Sequence, residues 1–556
     1  MSMNTKNSIN KNCPDCKNNF VIDSGDLILY EKIGLKIPEE CFECRLKHQL
    51  AFSVFGKFRK GVSDLSGESL ITVLPNKPRY SIYKSHEWWG DAWDPLSYAQ
   101  NYDTSRSFFD QLKELQEKIP RPHQDGKNNI NCDWCNDVWD SRNCYLSKAL
   151  SKCENSSYLY RVLDTKDSFD IALSFNLQNS YNCLACHNSF NLNFSENSRD
   201  CIDSFFLFDC RSCQNCFMCY NLRNKQYCIR NKQYTKVKYE NELRNIKLHS
   251  YKKVEILKLE FENVLKNSAV HRENYNLKTT NSTGNYMTNC DKCVNCFTWD
   301  DSQNCRNSLR GLYAKDCIDQ VGSWHTEVSG NNSCVNGGYQ IKHSIYSIGR
   351  YSEYIDLCDE CEYCFGCVGL RKKKYCILNK QYPEKEYKKL KEKIISDMEK
   401  RSEYGKSMPY FMSICDYNFS SGLIYLPNVI KDEIIKRGGY WSEEDLSSEN
   451  GVSSLTLPDS INDTEKSIST QALICPETKY RFNISEAEYK FHKNKGFTLP
   501  RIHFDLRMIK KARKTAVLKS YPYKCIYCQN DIMAYYPPEW GYKKIACEDC
   551  YKQNIA

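Results

Sequence analysis

Cysteine spacing constrains the fold of this chain more than any other feature of its sequence. The 556 residues include 33 cysteines, and most of them stand in C-x-x-C steps rather than at the scattered spacings of disulfide partners. The first ten residues, MSMNTKNSIN, are polar and give no secretory signal. In an unexported chain this spacing favours metal thiolates over disulfide bridges. We therefore expect a cytoplasmic, metal-binding protein.

The composition allows packed domains and argues against a membrane protein. The chain is 41% hydrophobic and has a formal net charge of +9. That apolar fraction is enough to bury cores, so wholesale disorder is not expected. No apolar run approaches the roughly 20 residues that a membrane span needs, so we expect no membrane contact.

The two ends of the chain resemble each other. Shifting the sequence by 462 residues aligns residues 13–89 with 475–551 without a gap. Each copy carries one four-cysteine pattern; where the first copy has its four cysteines, the second has Cys475, Thr478, His503 and Leu506. The patterns are C-x2-C-x24-C-x2-C in the first copy and C-x2-C-x18-C-x2-C in the second, formed by Cys13, Cys16, Cys41 and Cys44 and by Cys525, Cys528, Cys547 and Cys550. We interpret the pair as one parent module with two metal sites, of which each copy kept a different one.

The first copy has Ser63, Ser66, Ser85 and Trp88 where the second has its four ligands. Serine is a poor zinc ligand at neutral pH because its hydroxyl stays protonated where a metal-bound thiol ionises. We expect Trp88 to belong to a core that replaced the lost metal.

The middle of the chain holds a second repeat. Shifting by 148 residues aligns the cysteines of 210–228 with those of 358–376. Small residues also recur every twelve positions, often after Asn or Asp, as at Cys144, Ser156, Ser168 and Ser180. Such a turn-plus-strand period predicts a β-solenoid, and a string of small metal-bound knuckles is the alternative. The predicted fold class is mainly β with helical connectors, with zinc-ribbon-like modules at both ends of a cysteine-rich, β-solenoid-like region.

These repeats predict six consecutive segments. Lys, Glu and Leu at helical spacing predict helices over 236–265 and 384–402. The polar composition of residues 442–470 predicts a linker. The predicted boundaries are an N-terminal zinc-binding module at 1–125, a first cysteine-rich repeat at 126–240, a helical connector at 241–285, a second cysteine-rich repeat at 286–383, a helix and linker at 384–474, and a C-terminal basic zinc-ribbon module at 475–556.

Metal chemistry is predicted with different alternatives at the ends and in the middle. Two C-x-x-C hooks let four thiolates close on one ion, so both end sites are interpreted as closed structural zinc sites. For the central steps zinc, an iron–sulfur cluster and packed thiols all stay open. The central candidate ligands are Cys132, Cys135, Cys183, Cys186, Cys210, Cys213, Cys216, Cys219, Cys290, Cys293, Cys296, Cys358, Cys361, Cys364 and Cys367.

Positive charge is concentrated in the C-terminal module. Residues 475–556 contain 12 Lys and 4 Arg against 8 acidic residues. A predicted helix over 501–519 beside the four-cysteine site suggests a footprint for phosphate backbones, and a solvated lysine-rich face is the alternative. The predicted nucleic-acid-binding residues are Arg507, Lys510, Lys511, Arg513, Lys514 and Lys519.

No catalytic motif stands out in the sequence. We find no P-loop, dinucleotide fingerprint, nucleophile elbow or H-E-x-x-H pattern. The first functional hypothesis is therefore a non-enzymatic, multi-zinc scaffold that binds nucleic acid or a ribonucleoprotein through the C-terminal module. The second is a protein-interaction scaffold that uses the solenoid face, and the third is an iron–sulfur or redox protein.

Several strings resemble one known family. They are F-x-I…L-x-x-Y…G-x-x-I-P-x-x-C-x-x-C-R at 20–45, W-W-x-D-x-W-D at 88–94, N-C-F-x-C-x-N-L-R-N-K-Q-Y-C at 215–228, and L-P-R…R with the cysteine pattern at 499–550. Nearly the whole chain resembles an uncharacterised cysteine-rich zinc-ribbon family known mainly from the genomes of candidate-phylum (patescibacterial) bacteria. The resemblance implies bound zinc and no particular activity. Members of that family carry cysteines where this chain has Ser63 and Ser66, so the first module is divergent.

Overall fold

A computed structural model describes residues 8–556 of the chain. The structure is mainly β, with 32% strand and 26% helix, and its sheets are not closed. The chain divides into two compact units, each built from two separated segments. The first unit comprises residues 1–124 and 274–442, and the second comprises 125–273 and 443–556. Within 8–556, no helix has the length and apolar character that crossing a bilayer requires.

The first segment of the first unit holds two antiparallel hairpins and four helices. Asp23 begins helix α1 by accepting a hydrogen bond from the Asp26 amide, and Gly34, at φ 74°, ends it. The segment ends in a short parallel pair, β5 and β6. Its elements are β1 Ile9–Asn12, β2 Asn19–Ile22, α1 Ser24–Ile33, α2 Phe42–Leu50, β3 Arg59–Val62, β4 Ser69–Thr72, β5 Ile82–Tyr83, α3 Ser85–Trp89, α4 Phe108–Lys118 and β6 Arg121–Pro122.

The second unit begins with a long parallel ladder, called here the first ladder. Neighbouring strands pair at a register of twelve residues, as in Tyr160 opposite Ala172. Two helices follow it and confirm the helical prediction for 236–265 in outline. The elements are β7 Gly126–Lys127, β8 Cys135–Trp139, β9 Ser147–Ser151, β10 Tyr160–Leu163, β11 Phe169–Gln178, β12 Tyr181–Leu184, β13 His187–Asn193, β14 Ile202–Phe208, β15 Gln214–Tyr220, β16 Gln226–Ile229, β17 Lys232–Gln233, α5 Lys236–Arg244, α6 Tyr251–Asn267 and β18 His271–Arg272.

A period of three residues runs along nearly the whole first ladder. Almost every third residue has a positive φ near 50°, and Asn and Asp, which tolerate this conformation best, fill many of these positions. The residue after most of them is small or apolar and is buried. One stretch of such buried positions reads Cys144, Ser147, Leu150, Cys153 and Ser156. The C-x-x-C steps of this region are therefore part of the backbone period.

The second ladder belongs to the first unit and has the same construction. Cysteines and apolar residues again form its buried clusters. Helix α7 confirms the prediction of a helix over 384–402. The elements are β19 Gly284–Thr288, β20 Val294–Asp300, β21 Arg306–Leu312, β22 Ile318–Trp324, β23 Thr326–Glu327, β24 Gly330–Val335, β25 Gly338–Lys342, β26 Gly349–Glu353, β27 Cys361–Phe365, β28 Lys374–Ile377, β29 Lys380–Gln381, α7 Glu384–Lys400, α8 Gly422–Tyr425 and α9 Lys431–Lys436.

The last segment completes the second unit. The polar stretch interpreted as a linker is not a solvated connector, because Leu457, Ile461 and Ile468 are buried in one cluster with Cys475 and Phe482. The sequence predicts a linker here because polar residues far outnumber the apolar ones in that stretch. The elements are β30 Val452–Ser453, β31 Leu473–Ile474, β32 Arg481–Phe482, α10 Glu486–Lys495, α11 Phe504–Thr515, β33 Tyr521–Lys524, β34 Asp531–Ala534, β35 Ile545–Ala546 and α12 Glu548–Asn554.

Candidate metal centres

The first four-cysteine site joins a hairpin to a helix. Cys13 and Cys16 lie in the turn between β1 and β2, Cys41 caps the N-terminus of α2, and Cys44 lies in the first turn of that helix. The four Sγ atoms all lie within 4.8 Å of one another. The Sγ atoms of Cys16 and Cys41 are 3.6 Å apart. A tetrahedron with metal–sulfur bonds of about 2.3 Å has sulfur–sulfur edges of about 3.8 Å, so the group can hold one ion.

The second site repeats this arrangement in the other unit. Cys525 and Cys528 lie in the turn between β33 and β34, and Cys547 caps α12, whose first turn carries Cys550. These four Sγ atoms also lie within 4.8 Å of one another. Those of Cys528 and Cys547 are 3.9 Å apart. Both four-cysteine groups predicted from the spacing are therefore brought together with geometry that suits a metal ion.

The turn that presents the first two thiols has the same backbone in both sites. The amide of Lys17 donates to the Cys13 carbonyl at 3.0 Å, and the amide of Gln529 donates to the Cys525 carbonyl at 3.0 Å. Lys17 and Gln529 have φ values of 63° and 62°. This tight turn aims its amides at the first sulfur of the pair. The Cys41 amide reaches Cys13 Sγ at 3.4 Å, and the Cys547 amide reaches Cys525 Sγ at 3.4 Å.

Those amides lower the pKa of one thiol in each site. Burial raises the pKa of the Cys13 thiol, but hydrogen bonds from backbone N–H groups, led by Cys16 and Cys41, outweigh it and lower the pKa to about 7. The same balance lowers the pKa of Cys525 to about 6. Burial instead raises the pKa of Cys41 to about 11. Since a metal binds the thiolate, each site holds one sulfur that ionises readily and others that the ion itself must deprotonate.

Two further turns have the same backbone without a complete ligand set. The amide of Gly67 donates to the Ser63 carbonyl at 2.9 Å, and the amide of Lys479 donates to the Cys475 carbonyl at 3.0 Å. Gly67 and Lys479 have φ values of 74° and 60°. The backbone of a metal-binding turn is thus present at Ser63, where both cysteines are absent, and at Cys475, where the second one is absent.

A carboxylate accepts the hydrogen bond of the serine at the Ser63 turn. Glu87, in α3, accepts hydrogen bonds from the Ser63 hydroxyl and, at 2.8 Å, from the Lys84 amide. Burial raises the pKa of Glu87, but the hydrogen bonds from Ser63, Ser66 and Lys84 outweigh it and lower the pKa below its ordinary value. Trp88 is buried as expected, and its Nε1 donates to the Pro120 carbonyl at 2.8 Å. The group that contacts Ser63 is nevertheless Glu87, which sequence reasoning missed.

The central cysteines are not brought together in this way. Among residues 8–556, the groups of three or more side chains with ligand atoms within 4.8 Å are the two end sites. The central thiols instead donate to carbonyls, as Cys216 does to Gln214 at 3.5 Å. Ser204, one register step earlier, makes the equivalent bond to Ile202 at 2.8 Å. Because serine and cysteine alternate at equivalent positions, the geometry favours packed thiols for Cys132, Cys135, Cys183, Cys186, Cys210, Cys213, Cys216, Cys219, Cys290, Cys293, Cys296, Cys358, Cys361, Cys364 and Cys367.

The helix predicted to bind nucleic acid is α11, and most of its cations face acidic partners. Arg507 pairs with Asp170 and, at 3.3 Å, with Glu488. Lys511 lies 3.5 Å from Asp170, and Lys514 pairs with Glu196. These contacts dock α11 against the first ladder, so they neutralise the charge that was predicted to meet phosphates.

The other three predicted residues differ in exposure and in ion pairing. Lys510 is exposed and pairs with Glu477 at 2.7 Å. Burial lowers the pKa of Arg513. Lys519 is exposed beyond the end of the helix. The predicted basic face is therefore not a continuous exposed surface, because acidic residues of the same unit, far away in sequence, cover half of it.

Comparisons with known proteins give no relative for this chain. No protein-family model and no curated protein matches it. Among solved structures, one match is the protein named "putative acetyltransferase from Desulfovibrio desulfuricans G20". It is 10% identical, covers 45% of this chain and 65% of its own, and has a TM-score of 0.10. A likeness at that level carries no structural argument.

Proposed function

We propose that this protein is a non-enzymatic binding scaffold whose two end modules are each held together by one structural zinc ion. The observation that carries the proposal is the repetition of one four-thiol geometry, with a hairpin turn opposite a helix N-terminus, in both units. Four thiolates close the coordination shell, so no position is left for a substrate or an activated water. The metal would therefore act on stability and not on chemistry.

Zinc is the ion that best fits this donor set. Four sulfur donors at tetrahedral separations are typical of zinc and also of mononuclear iron. The short hairpin and the capped helix resemble zinc ribbons more than a cluster-binding run, whose last cysteine is followed by proline. Here Tyr551 follows Cys550, and Arg45 follows Cys44. The proposed resemblance to a cysteine-rich zinc-ribbon family agrees with this choice of metal.

We further infer that each ladder winds as a four-sided β-solenoid. A register of twelve residues combined with a positive φ at every third residue gives four corners in each coil. The residue after most corners would face the inside of the coil, which explains why small and apolar residues predominate at that position. The solenoids would supply long regular outer faces, which suit a scaffold that binds an extended partner.

Metal content tests the proposal directly. We expect two zinc ions per chain by elemental analysis, with no visible absorption from an iron–sulfur cluster. Cys16→Ser and Cys528→Ser should each lose one ion and lower the stability of the module concerned, because zinc contributes roughly 10 kcal/mol of apparent free energy in small zinc domains.

The matched control is Cys216→Ser, which removes a cysteine from the first ladder and should leave two ions bound. A wild-type protein that contains no zinc, or one that loses an ion in the control, would contradict the proposal. A brown protein that contains iron would favour the iron–sulfur hypothesis instead.

A further inference from the structure

A row of arginines runs along one face of the first ladder. Arg199, Arg211 and Arg223 stand in consecutive register, each bridged to the next in parallel fashion. His187 precedes them in the same row, and Phe175 precedes His187. Adjacent rows of a parallel sheet lie about 4.8 Å apart, so the three guanidinium groups start from backbone positions spread over about 10 Å. Sequence reasoning missed the row because its members are twelve residues apart.

The positive charge of this row is poorly compensated. Arg223 pairs with Asp209 at 3.2 Å and donates to the Tyr551 hydroxyl at 2.8 Å. Within the described part of the chain, Arg199 and Arg211 have neither an ion pair nor a hydrogen bond from their side chains. This differs from α11, where acidic partners meet the cations.

Burial and the neighbouring positive charges disfavour the charged form of the central arginine, Arg211. Burial lowers the pKa of Arg211 to about 10; Asp209 opposes this, and the neighbouring charges of Arg199, Arg223 and Arg272 add to it. Half-buried like charges destabilise the free protein, and an anion that pairs with them removes both the repulsion and the unmet hydrogen bonds.

One exposed aromatic side chain stands in the row, and a second stands in the neighbouring row beyond one corner of the ladder. Phe175, at the start of the row, is 42% exposed and stacks on His187 with ring centroids 4.1 Å apart. Phe190 lies three residues beyond His187, past the corner at Asn188, and is also 42% exposed; Ile202 follows it in register at 41%. A large aromatic surface held in water next to arginines is unusual in a monomeric protein, and it is the combination that single-stranded nucleic acids use for backbone and base contacts.

The geometry points to a single-stranded nucleic acid as the ligand of this face: we propose that Arg199, Arg211 and Arg223 contact successive phosphates while Phe190 and Phe175 stack on unpaired bases. Planar guanidinium groups suit phosphate oxygens because they donate two parallel hydrogen bonds. An acidic peptide would satisfy the charges but would not need the flat aromatic rings, and a duplex would hide its base faces.

The second ladder provides an internal contrast. Asp359 stands one register step before Arg371, as Arg211 stands before Arg223. Arg371 itself lies over the rings of Trp88 and Trp93, at 5.7 and 5.3 Å from their centroids. The arginine row therefore belongs to the first ladder alone among the described residues, which makes a general structural requirement of the ladder an insufficient explanation for it.

The test compares two double variants of the full-length zinc-loaded protein that lose the same charge. Arg199→Gln/Arg211→Gln removes the unpaired arginines, and Lys510→Gln/Lys519→Gln removes the exposed cations at and beyond α11. The probe is a fluorescein-labelled oligouridine of about 12 nucleotides, with fluorescence anisotropy measured from about 50 to 200 mM salt. A duplex DNA and poly-glutamate serve as competitors.

We expect the wild type to bind oligouridine with a steep salt dependence. The arginine variant should flatten the slope of log K against log salt by about 1.4, since each phosphate contact on a single strand contributes about 0.7. The lysine variant should keep the wild-type slope. Phe190→Leu, which keeps apolar area and loses the π face, should weaken binding about five-fold or more.

Several results would overturn the proposal. They are no affinity for oligouridine at the lowest salt, an unchanged slope in the arginine variant, an equal loss in both double variants, or equally strong competition by poly-glutamate or duplex DNA. Thermal unfolding gives an independent check. Because the arginine variant relieves like-charge repulsion, its unfolding temperature should equal or exceed that of the wild type. A lower unfolding temperature would mean that the two arginines hold the fold and would also refute the assignment.

Discussion

Replacing Arg507 by glutamine tests whether α11 is a docking element or a nucleic-acid surface. Its side chain is 11% exposed and lies between two carboxylates, Asp170 and Glu488, which are 2% and 1% exposed. It also lies over the ring of Tyr158, 5.0 Å from the centroid. Because both acidic partners are buried, this one change removes the main compensation of both.

The expected cost follows from the charges that the variant leaves behind. Removing one partner of a buried ion pair costs about 3–5 kcal/mol because the remaining charge has no compensation. In the Arg507→Gln variant Asp170 keeps Lys511 at 3.5 Å, and Glu488 keeps the Tyr158 hydroxyl at 2.6 Å. We therefore expect a loss of about 3 kcal/mol at neutral pH, at the lower end of that range.

The pH dependence provides a second signature. Burial raises the pKa of Glu488 above its ordinary value even with Arg507 present, and the arginine acts in the opposite direction. Without Arg507 that pKa rises further. A carboxyl with a raised pKa in the folded state favours folding at low pH and loses this contribution as the pH rises through the folded pKa. The deficit of the variant should therefore shrink as the pH is lowered from 7 towards the ordinary glutamate pKa.

Denaturant unfolding would measure the loss of unfolding free energy in the variant. Amide hydrogen exchange would show whether that loss is located in β11 and α11. Lys510→Gln is the matched control, because its partner Glu477 is exposed and such pairs contribute less than about 1 kcal/mol. The triple variant Arg507→Gln/Asp170→Asn/Glu488→Gln should recover part of the loss, since it leaves no buried charge. A loss below about 1 kcal/mol in Arg507→Gln, or a deficit that grows on acidification, would refute the docking argument.

Three further predictions concern the other parts of the fold. Because the pKa of Glu87 is lowered, its contribution to stability should be present at neutral pH and be lost as the pH falls below about 4.5. In Glu87→Gln the free energy of unfolding, measured by denaturation at several pH values, should therefore depend less on pH in that acid range. Asn155→Val should cost about 2 kcal/mol or more by thermal unfolding, and Asn155→Gly less, because Asn155 has a φ of 50° and bonds to Asn143 and Asp167. Cys216→Ser should keep the carbonyl bond and cost no more than about 2 kcal/mol by denaturant unfolding, whereas a larger loss would indicate a role beyond packing.

The end sites could be predicted from the sequence because their geometry is local. All four ligands of the first site lie within residues 13–44, and a C-x-x-C hook in a hairpin turn leaves little freedom for its two sulfurs. The mainly β class was also predictable, since a small residue after Asn or Asp every twelve positions marks repeated turns and strands. These signals need no knowledge of distant contacts.

The central cysteines were harder to interpret because two chemistries share one spacing. A C-x-x-C step is a metal hook in a hairpin turn, but it is also what a backbone period of three produces when cysteine fills successive buried positions. The distinguishing signal was present in the sequence. Serine, leucine and valine occupy the same phase as the cysteines, as in Cys144, Ser147 and Leu150, and none of them could replace a ligand.

The docking of α11 could not be predicted, because its partner lies more than 300 residues away. Nothing near Asp170 marks it as the acceptor for Arg507, and the helix alone has the composition of a basic surface. Charge counted along the sequence therefore did not reveal that Arg507, Lys511 and Lys514 meet carboxylates of the first ladder.

The two units use the same residues of their end modules to hold a ladder. Arg45 in α2 pairs with Asp319 at 2.8 Å, and Arg507 in α11 pairs with Asp170. Arg45 and Arg507 match under the 462-residue shift, as do the first residues of their helices, and both aspartates sit at positive-φ positions of a ladder.

In both units a buried arginine–aspartate pair therefore joins a helix of the end module to a ladder. The chain has one module at each end and two ladders between them, and each module shares a unit with the ladder that is farther from it in sequence. Each module therefore docks on the ladder that its own ion pair specifies, the first module on the second ladder and the second module on the first. Because a charge left without its partner in that interface is costly, the ion pair constrains a module's docking on its ladder more strictly than the order of segments along the chain does.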